Sequence, residues 1–143
     1  MKDFSVKFGR LLLPMVFLTA SCGDIPTPVP VVPNLNFYTS IYTNNLMHVG
    51  GYEYFTGAIR GLVVYRVDMT TFCAYDRACS YDWREEGYVS VDTSNTFRLI
   101  CGQCHSTFSI LSGYPIGNAN KAEAPLRAYK ATMVDDINLR VYN

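Results

Sequence analysis

The sequence predicts an all-β domain. Beyond residue 36 the chain is rich in β-branched and aromatic residues, and Gly, Asn, Asp and Ser separate its short apolar runs. In this part no window of about ten residues holds a convincing helical repeat of apolar residues, which would need a period of about 3.6. With 143 residues, 49% of them hydrophobic and 17% charged, the chain has the size and composition of one folded domain.

The individual strands are predicted from short apolar runs. Residues 62–68 form the clearest central strand, because they join apolar and β-branched residues with little interruption. Near the end of the chain, Ile137, Leu139 and Val141 alternate with other residues, which predicts a strand with one buried face. The only helical segment expected is a short helix over residues 37–46. Further short strands are predicted at residues 88–91, 97–100, 108–111 and 129–134.

The first 21 residues have the layout of a signal peptide. Basic residues at positions 2, 7 and 10 precede an apolar run over 11–18, which is too short to span a bilayer as a mature helix. Small residues then lead to Cys22, and this arrangement resembles a bacterial lipobox, with Thr19 in the place usually taken by Leu. The resemblance implies cleavage before Cys22, diacylation of its thiol and a lipid-anchored location in the cell envelope, in the periplasm or at the outer membrane. An ordinary signal peptide followed by a free cysteine is the alternative.

A Pro-rich segment follows the proposed lipid site. Residues 22–36 contain four of the seven prolines, which favours an extended tether between the membrane and a β domain at 37–143. The alternative is that this arm lies along the domain as an edge strand.

The charge balance restricts the partners. Removal of residues 1–21 takes three basic residues and one acidic residue from the equal totals of 12 and 12, which leaves a net charge of −2. Such a chain has no excess of Lys and Arg to neutralise phosphates, so no nucleic-acid partner is expected. Five Cys stand beside only two His, which excludes a His-rich metal site.

Four cysteines remain after Cys22. Cys101 and Cys104 form a Cys-x-x-Cys loop, which can hold one metal ion with two thiolates or form one disulfide. Cys79 lies some twenty residues earlier and could complete a two-loop site. Cys73 is expected in the core, because it lies two residues before Tyr75 and therefore faces the same side of a strand.

Residues 57–129 contain a series of motifs, which are Val64-Tyr65-Arg66, Phe72, Ala74-Tyr75-Asp76-Arg77, Cys79, Cys101, Ser106, Phe108, Gly113, Gly117, Pro125-Leu126 and Tyr129. With these motifs the segment resembles the Rieske-type iron–sulfur domain family. The resemblance implies a Rieske-like antiparallel β-sandwich or barrel with a small two-loop subdomain of the cluster-binding type. In that family Cys-x-His and Cys-x-x-His loops hold a [2Fe–2S] cluster, with both Cys on one iron and both His on the other.

The resemblance also assigns candidate ligands. Cys79 and Cys101 match the two thiolate ligands of the family, whereas Tyr81 and Cys104 stand where the family has His. His105 falls one position late, in a place that the family usually gives to Gly. A [2Fe–2S] cluster would therefore be held by the three Cys together with His105 or the Tyr81 phenolate, and the added negative charge would lower its potential.

Three other chemistries remain open for the cysteines. The family fold brings Cys79 close to Cys101 and Cys104. One or two disulfides, formed in an oxidising compartment, would give a redox-inert envelope component, which is the interpretation favoured from the sequence. Alternatively, the three Cys and His105 could hold a structural Zn²⁺. A catalytic dithiol at 101–104 would need a helix after it, and none is predicted.

The sequence does not predict an enzyme, because no motif brings together an acid, a base and a nucleophile. The segment from Gly113 to Gly117 lacks the Lys-Ser/Thr ending of a phosphate-binding loop. The favoured hypothesis is thus a non-catalytic, lipid-anchored protein. The alternative is a one-electron carrier that binds a [2Fe–2S] cluster and serves a redox protein partner.

Overall fold

The computed structural model describes residues 28–42 and 44–143. The predicted signal peptide at 1–21 and the predicted lipid site Cys22 lie outside these residues. Within the described ranges, no helix has both the length and the apolar character needed to cross a membrane.

The described chain consists of short antiparallel strands and two single-turn 3-10 helices, so the all-β prediction is confirmed. The 3-10 helices are Asn45–Met47 and Trp83–Glu85. The strands are β1 (Asn36–Ser40), β2 (Tyr52–Phe55), β3 (Leu62–Arg66), β4 (Phe72–Asp76), β5 (Val89–Asp92), β6 (Asn95–Cys101), β7 (Thr107–Ser109), β8 (Ala128–Met133) and β9 (Asn138–Tyr142).

The strands form two sheets. The larger sheet carries apolar residues on both of its faces. Six strands form a sheet in the order β1-β9-β8-β4-β3-β2, and β5, β6 and β7 form a three-stranded sheet. All five residues of β3 are buried. Val63 and Tyr65 belong to the apolar cluster that also contains residues of the small sheet, whereas Leu62 and Val64 belong to the cluster on the opposite face. The predicted central strand is therefore confirmed, although it ends two residues earlier, at Arg66.

The start of the domain differs from the sequence expectation. The prediction of a helix over 37–46 is wrong, because residues 36–40 form a strand that pairs with the edge of β9. In this pairing Phe37 lies opposite Val141. Only Asn45–Met47 is helical, and the Asn44 side chain caps it by accepting the Leu46 N–H. Residues 36–40 thus form a strand because they can pair with β9, which lies far along the sequence.

The described end of the Pro-rich arm lies against the domain. Val29 is fully buried, and its carbonyl oxygen accepts hydrogen bonds from Nε and Nη2 of Arg127 at 2.9 and 2.8 Å. The Val32 N–H donates to the Tyr129 hydroxyl at 3.4 Å. Residues 28–35 are therefore held by the domain before β1 begins.

Asp76, the last residue of β4, organises the entry to the cysteine-bearing loops. Its buried carboxylate accepts the N–H groups of Ile59, Arg60 and Ala78 at 2.8, 3.1 and 2.9 Å. One side chain thus ties the turn between β2 and β3 to the segment that leads into Cys79.

We expect Asp76→Ala to lower the free energy of unfolding by about 2–4 kcal/mol, because three N–H groups would lose their acceptor in the interior. Urea denaturation followed by circular dichroism measures this loss. Asp136→Ala is the control, since Asp136 is exposed and its removal should change stability by less than about 0.5 kcal/mol. Equal stability of the two variants would contradict the assigned role.

Candidate metal centre

Two loops meet at one end of the small sheet. The first follows β4, and its Cys79 N–H donates to the Gly87 carbonyl oxygen at 3.0 Å. The second joins β6 to β7 and begins at Cys101, which pairs with Val89 of β5. Since both loops pair with the same stretch of residues 87–89, they lie side by side.

Four potential ligand atoms converge between these loops. The Sγ atoms of Cys79, Cys101 and Cys104 and a carboxylate oxygen of Asp82 all lie within 4.8 Å of one another, and all four residues are buried. Cys79 Sγ is 3.6 Å from Cys104 Sγ, and Cys101 Sγ is 3.5 Å from Asp82 Oδ1. The structure therefore brings together the three cysteines predicted as ligands and adds a carboxylate. We refer to these four residues as the Cys3Asp group.

The first cysteine of each loop is surrounded by backbone donors. The sulfur atoms of Cys79 and Cys101 each accept hydrogen bonds from the N–H groups two and three residues further along the chain. Burial raises the pKa of both thiols, and these N–H groups oppose the rise because they favour the thiolate. A bound cation would supply the further stabilisation that the two thiolates need.

Ser106 supports the third sulfur. Its Oγ accepts the N–H groups of Lys121 and Ala122 at 3.1 and 3.0 Å and lies 3.3 Å from Cys104 Sγ. A hydroxyl has two acceptor sites and one proton to donate. With both acceptor sites in use, the Ser106 proton is available to a Cys104 thiolate.

Asp82 is the member of the group that sequence reasoning missed. It comes directly before the 3-10 helix Trp83–Glu85, where a side chain would often cap the helix, but its carboxylate makes no capping hydrogen bond. The signal in the sequence was the spacing, since Cys79-x-x-Asp82 repeats the interval of Cys101-x-x-Cys104.

The structure places the other two predicted ligands outside the Cys3Asp group. The Tyr81 side chain is 56% exposed, and His105 is exposed as well. His105 has a φ of 61°, and its N–H donates to the Cys101 carbonyl oxygen at 3.1 Å. A positive φ favours glycine, which gives a physical reason for the Gly that the resembling family usually has at this place.

Cys73 is separate from the site. It is half-buried and packs against the same apolar cluster as Tyr75, as predicted. Its Sγ lies 3.5 Å from the Leu111 carbonyl oxygen. None of the four cysteines in the described part of the chain forms a disulfide in this structure.

The Cys3Asp group differs from the ligand set of a Rieske cluster, which holds one of its two irons with imidazoles. The described group contains no histidine, so an imidazole-bound iron does not fit these loops. Three thiols and a carboxylate instead suit a thiolate-bound metal such as iron or zinc.

No protein-family model and no curated protein matches this chain. Among solved structures, it is similar to a chain in the complex of reduced oxygenase and oxidized ferredoxin in carbazole 1,9a-dioxygenase, with 18% identity over 73% of this chain and 92% of that chain and a TM-score of 0.51. A chain in a complex of carbazole-bound oxygenase and ferredoxin gives 13% identity over 75% of this chain and 28% of that chain, with a TM-score of 0.53. The ferredoxin of carbazole 1,9a-dioxygenase from Nocardioides aromaticivorans IC177 gives 20% identity, 73% and 92% coverage and a TM-score of 0.48. The first of these similarities shows that the chain has the β-fold of Rieske-type ferredoxins.

We expect Cys79→Ser, Cys101→Ser and Cys104→Ser each to weaken metal binding by at least about tenfold, since each removes one thiolate from the group. Metal retained per chain after a challenge with a chelator measures the effect.

Cys73→Ser is the matched control for these variants, because it removes a thiol outside the group, and it should retain as much metal as the unaltered chain. A loss of metal from Cys73→Ser comparable to that of the other three would contradict this site.

Proposed function

We propose that this chain is an exported, lipid-anchored electron carrier. Cys79, Asp82, Cys101 and Cys104 hold a thiolate-bound iron centre, and single electrons pass between that centre and a redox protein. The observation that carries the proposal is the burial of four potentially anionic donors at one point, where two loops of a ferredoxin-like fold meet.

The charge of the group supports a bound cation. Buried carboxylates and thiolates need a cationic partner, because the interior solvates charge poorly. The ion pairs in the described part of the chain join Arg60 to Glu86 and Arg98 to Asp92, and neither involves the Cys3Asp group. Iron bound by thiolates supplies reversible one-electron chemistry between its ferric and ferrous states.

The position of the group suits electron exchange with another protein. Cys104 is 8% exposed, and the neighbouring Gly102 and Gln103 are exposed at the tip of the second loop. The sulfur atoms therefore lie just beneath the surface that a partner would touch. A protein partner is also in keeping with the similar solved complex, which contains a ferredoxin and an oxygenase.

The residues around the centre would set its potential. A carboxylate and a third thiolate in place of two neutral imidazoles add negative charge next to the iron. This charge stabilises the ferric state more than the ferrous state, so the potential should be lower than that of a His-ligated centre.

A second candidate function is a redox-inert envelope component with a disulfide at this site. The specific observation in its favour is the 3.6 Å separation of the Cys79 and Cys104 sulfur atoms, which a small adjustment of the loops would close to a bond. Formation of this bond would remove two of the thiolates from the metal site, so the two functions exclude each other.

The electron-carrier proposal predicts that the full chain, isolated from membranes without air, is coloured and contains iron. Its visible absorbance should bleach on reduction and return on oxidation, with the slope of a one-electron step in a potentiometric titration. A colourless chain without iron, in which mass spectrometry finds two hydrogens missing across residues 79 and 104, would establish the disulfide form instead.

The lipid anchor predicts incorporation of labelled palmitate and recovery in the membrane fraction when the full chain is made in a bacterial host. Cys22→Ser should abolish both, because it removes the thiol that is acylated. Cys73→Ser, which alters another cysteine, should leave both unchanged. Recovery of the unaltered chain in the soluble fraction without label would overturn the anchor.

A further inference from the structure

The two loops of the site are built alike. In the first, Cys79 and Asp82 are three residues apart, and in the second, Cys101 and Cys104 have the same spacing. In both loops the leading sulfur accepts the N–H groups two and three residues ahead, so each loop curls around its own sulfur. Each loop thereby aims two donor atoms at a common point.

We infer that the Cys3Asp group binds one metal ion in tetrahedral coordination, with the Asp82 carboxylate as the fourth ligand. This inference rests on the proposed function, which puts a metal at these residues. It adds the number of metal atoms and the coordination geometry. It also identifies the fourth ligand, which the family resemblance does not supply.

The distances between the donors carry the inference. Metal–sulfur bonds of about 2.3 Å at tetrahedral angles place neighbouring sulfur atoms about 3.8 Å apart. The observed separations across the two loops are 3.6 Å for Cys79 and Cys104 and 3.5 Å for Cys101 and Asp82. In a two-iron cluster the four ligands are divided between two irons joined by bridging sulfides, so ligands on different irons lie further apart than ligands on one iron. Here every pair lies within 4.8 Å, which favours one ion over two irons.

The surroundings of Asp82 explain why its carboxylate points to the sulfurs. Asp82 is 5% exposed, and its carboxylate accepts the Cys101 thiol, whose sulfur lies 3.5 Å from Oδ1. The carboxylate occupies the space that a side chain on Gly87 would fill, since a Cβ there would overlap Asp82 Oδ1 and Cγ. A buried carboxylate surrounded by thiols, and given room by a glycine, is suited to a metal ion.

The test measures metal and inorganic sulfide per full chain, isolated without air, and the visible spectrum after replacement of the metal by Co²⁺. One metal per chain, no inorganic sulfide and the intense visible bands of tetrahedral thiolate-bound Co²⁺ are expected. Asp82→Asn preserves the shape of the side chain and should weaken Co²⁺ binding by about tenfold or more, whereas Asp82→Cys should retain one ion with a shifted spectrum.

Control variants separate ligation from a general disturbance of the loops. His105→Gly and Tyr81→Phe alter the two residues outside the group and should change Co²⁺ affinity by less than about twofold, whereas Gly87→Ala should weaken it by displacing the Asp82 carboxylate.

The outcomes distinguish this inference from the proposed function. Two irons and two sulfides per chain would overturn the single-ion site and leave the electron carrier in place. One redox-inactive zinc per chain would overturn the electron carrier and support the single-ion site. If Asp82→Asn retains the full Co²⁺ affinity and His105→Gly loses it, the assignment of Asp82 as a ligand is overturned.

Discussion

The short antiparallel pairing between the first loop and the start of β5 is the constraint on which the site depends. Val89 donates its N–H to the Arg77 carbonyl oxygen at 2.7 Å, and Cys79 continues this pairing. The Arg77 side chain reinforces it, because its Nε donates to the Val89 carbonyl oxygen and its guanidinium lies 4.1 Å from the centre of the Tyr54 ring. β6 pairs with the other edge of β5 at Cys101, so the strand between the loops sets the distance between their sulfur atoms.

The three cysteines of the Cys3Asp group are also part of the hydrophobic core. Cys79, Cys101 and Cys104 belong to the same buried cluster as Leu99 and Phe108. A protonated thiol packs as a small apolar group, whereas a thiolate in the same position needs positive charge nearby. The same side chains can therefore fill the core when neutral and bind a cation when they lose their protons. Because these side chains are buried, their packing in the core and their binding of a cation depend on each other.

The sequence predicts those parts of the structure whose pattern is local. β3 and β9 are recognisable because their apolar residues are continuous or alternate. Cys101 and Cys104 are recognisable because cysteine pairs at short spacing have few structural roles, whereas Cys79 is assigned with them by the family resemblance. β1 is not recognisable, since its pairing with β9 joins the two ends of the domain. Asp82 is hidden for another reason, because an aspartate before a helical turn has an ordinary role as a cap. Only the folded chain shows that Gly87 leaves space for its carboxylate to turn inward.

The attachment of Val29 to the domain limits how far the protein could stand from a membrane. Its carbonyl oxygen is held by Arg127, and seven residue steps separate this fixed point from Cys22 in the sequence. Such a length spans at most about 25 Å when fully stretched. With a lipid on Cys22, so short a connection would restrict the domain to diffusion in two dimensions along the lipid surface. A partner that exchanges electrons with it would have to present its own redox group within the same thin layer.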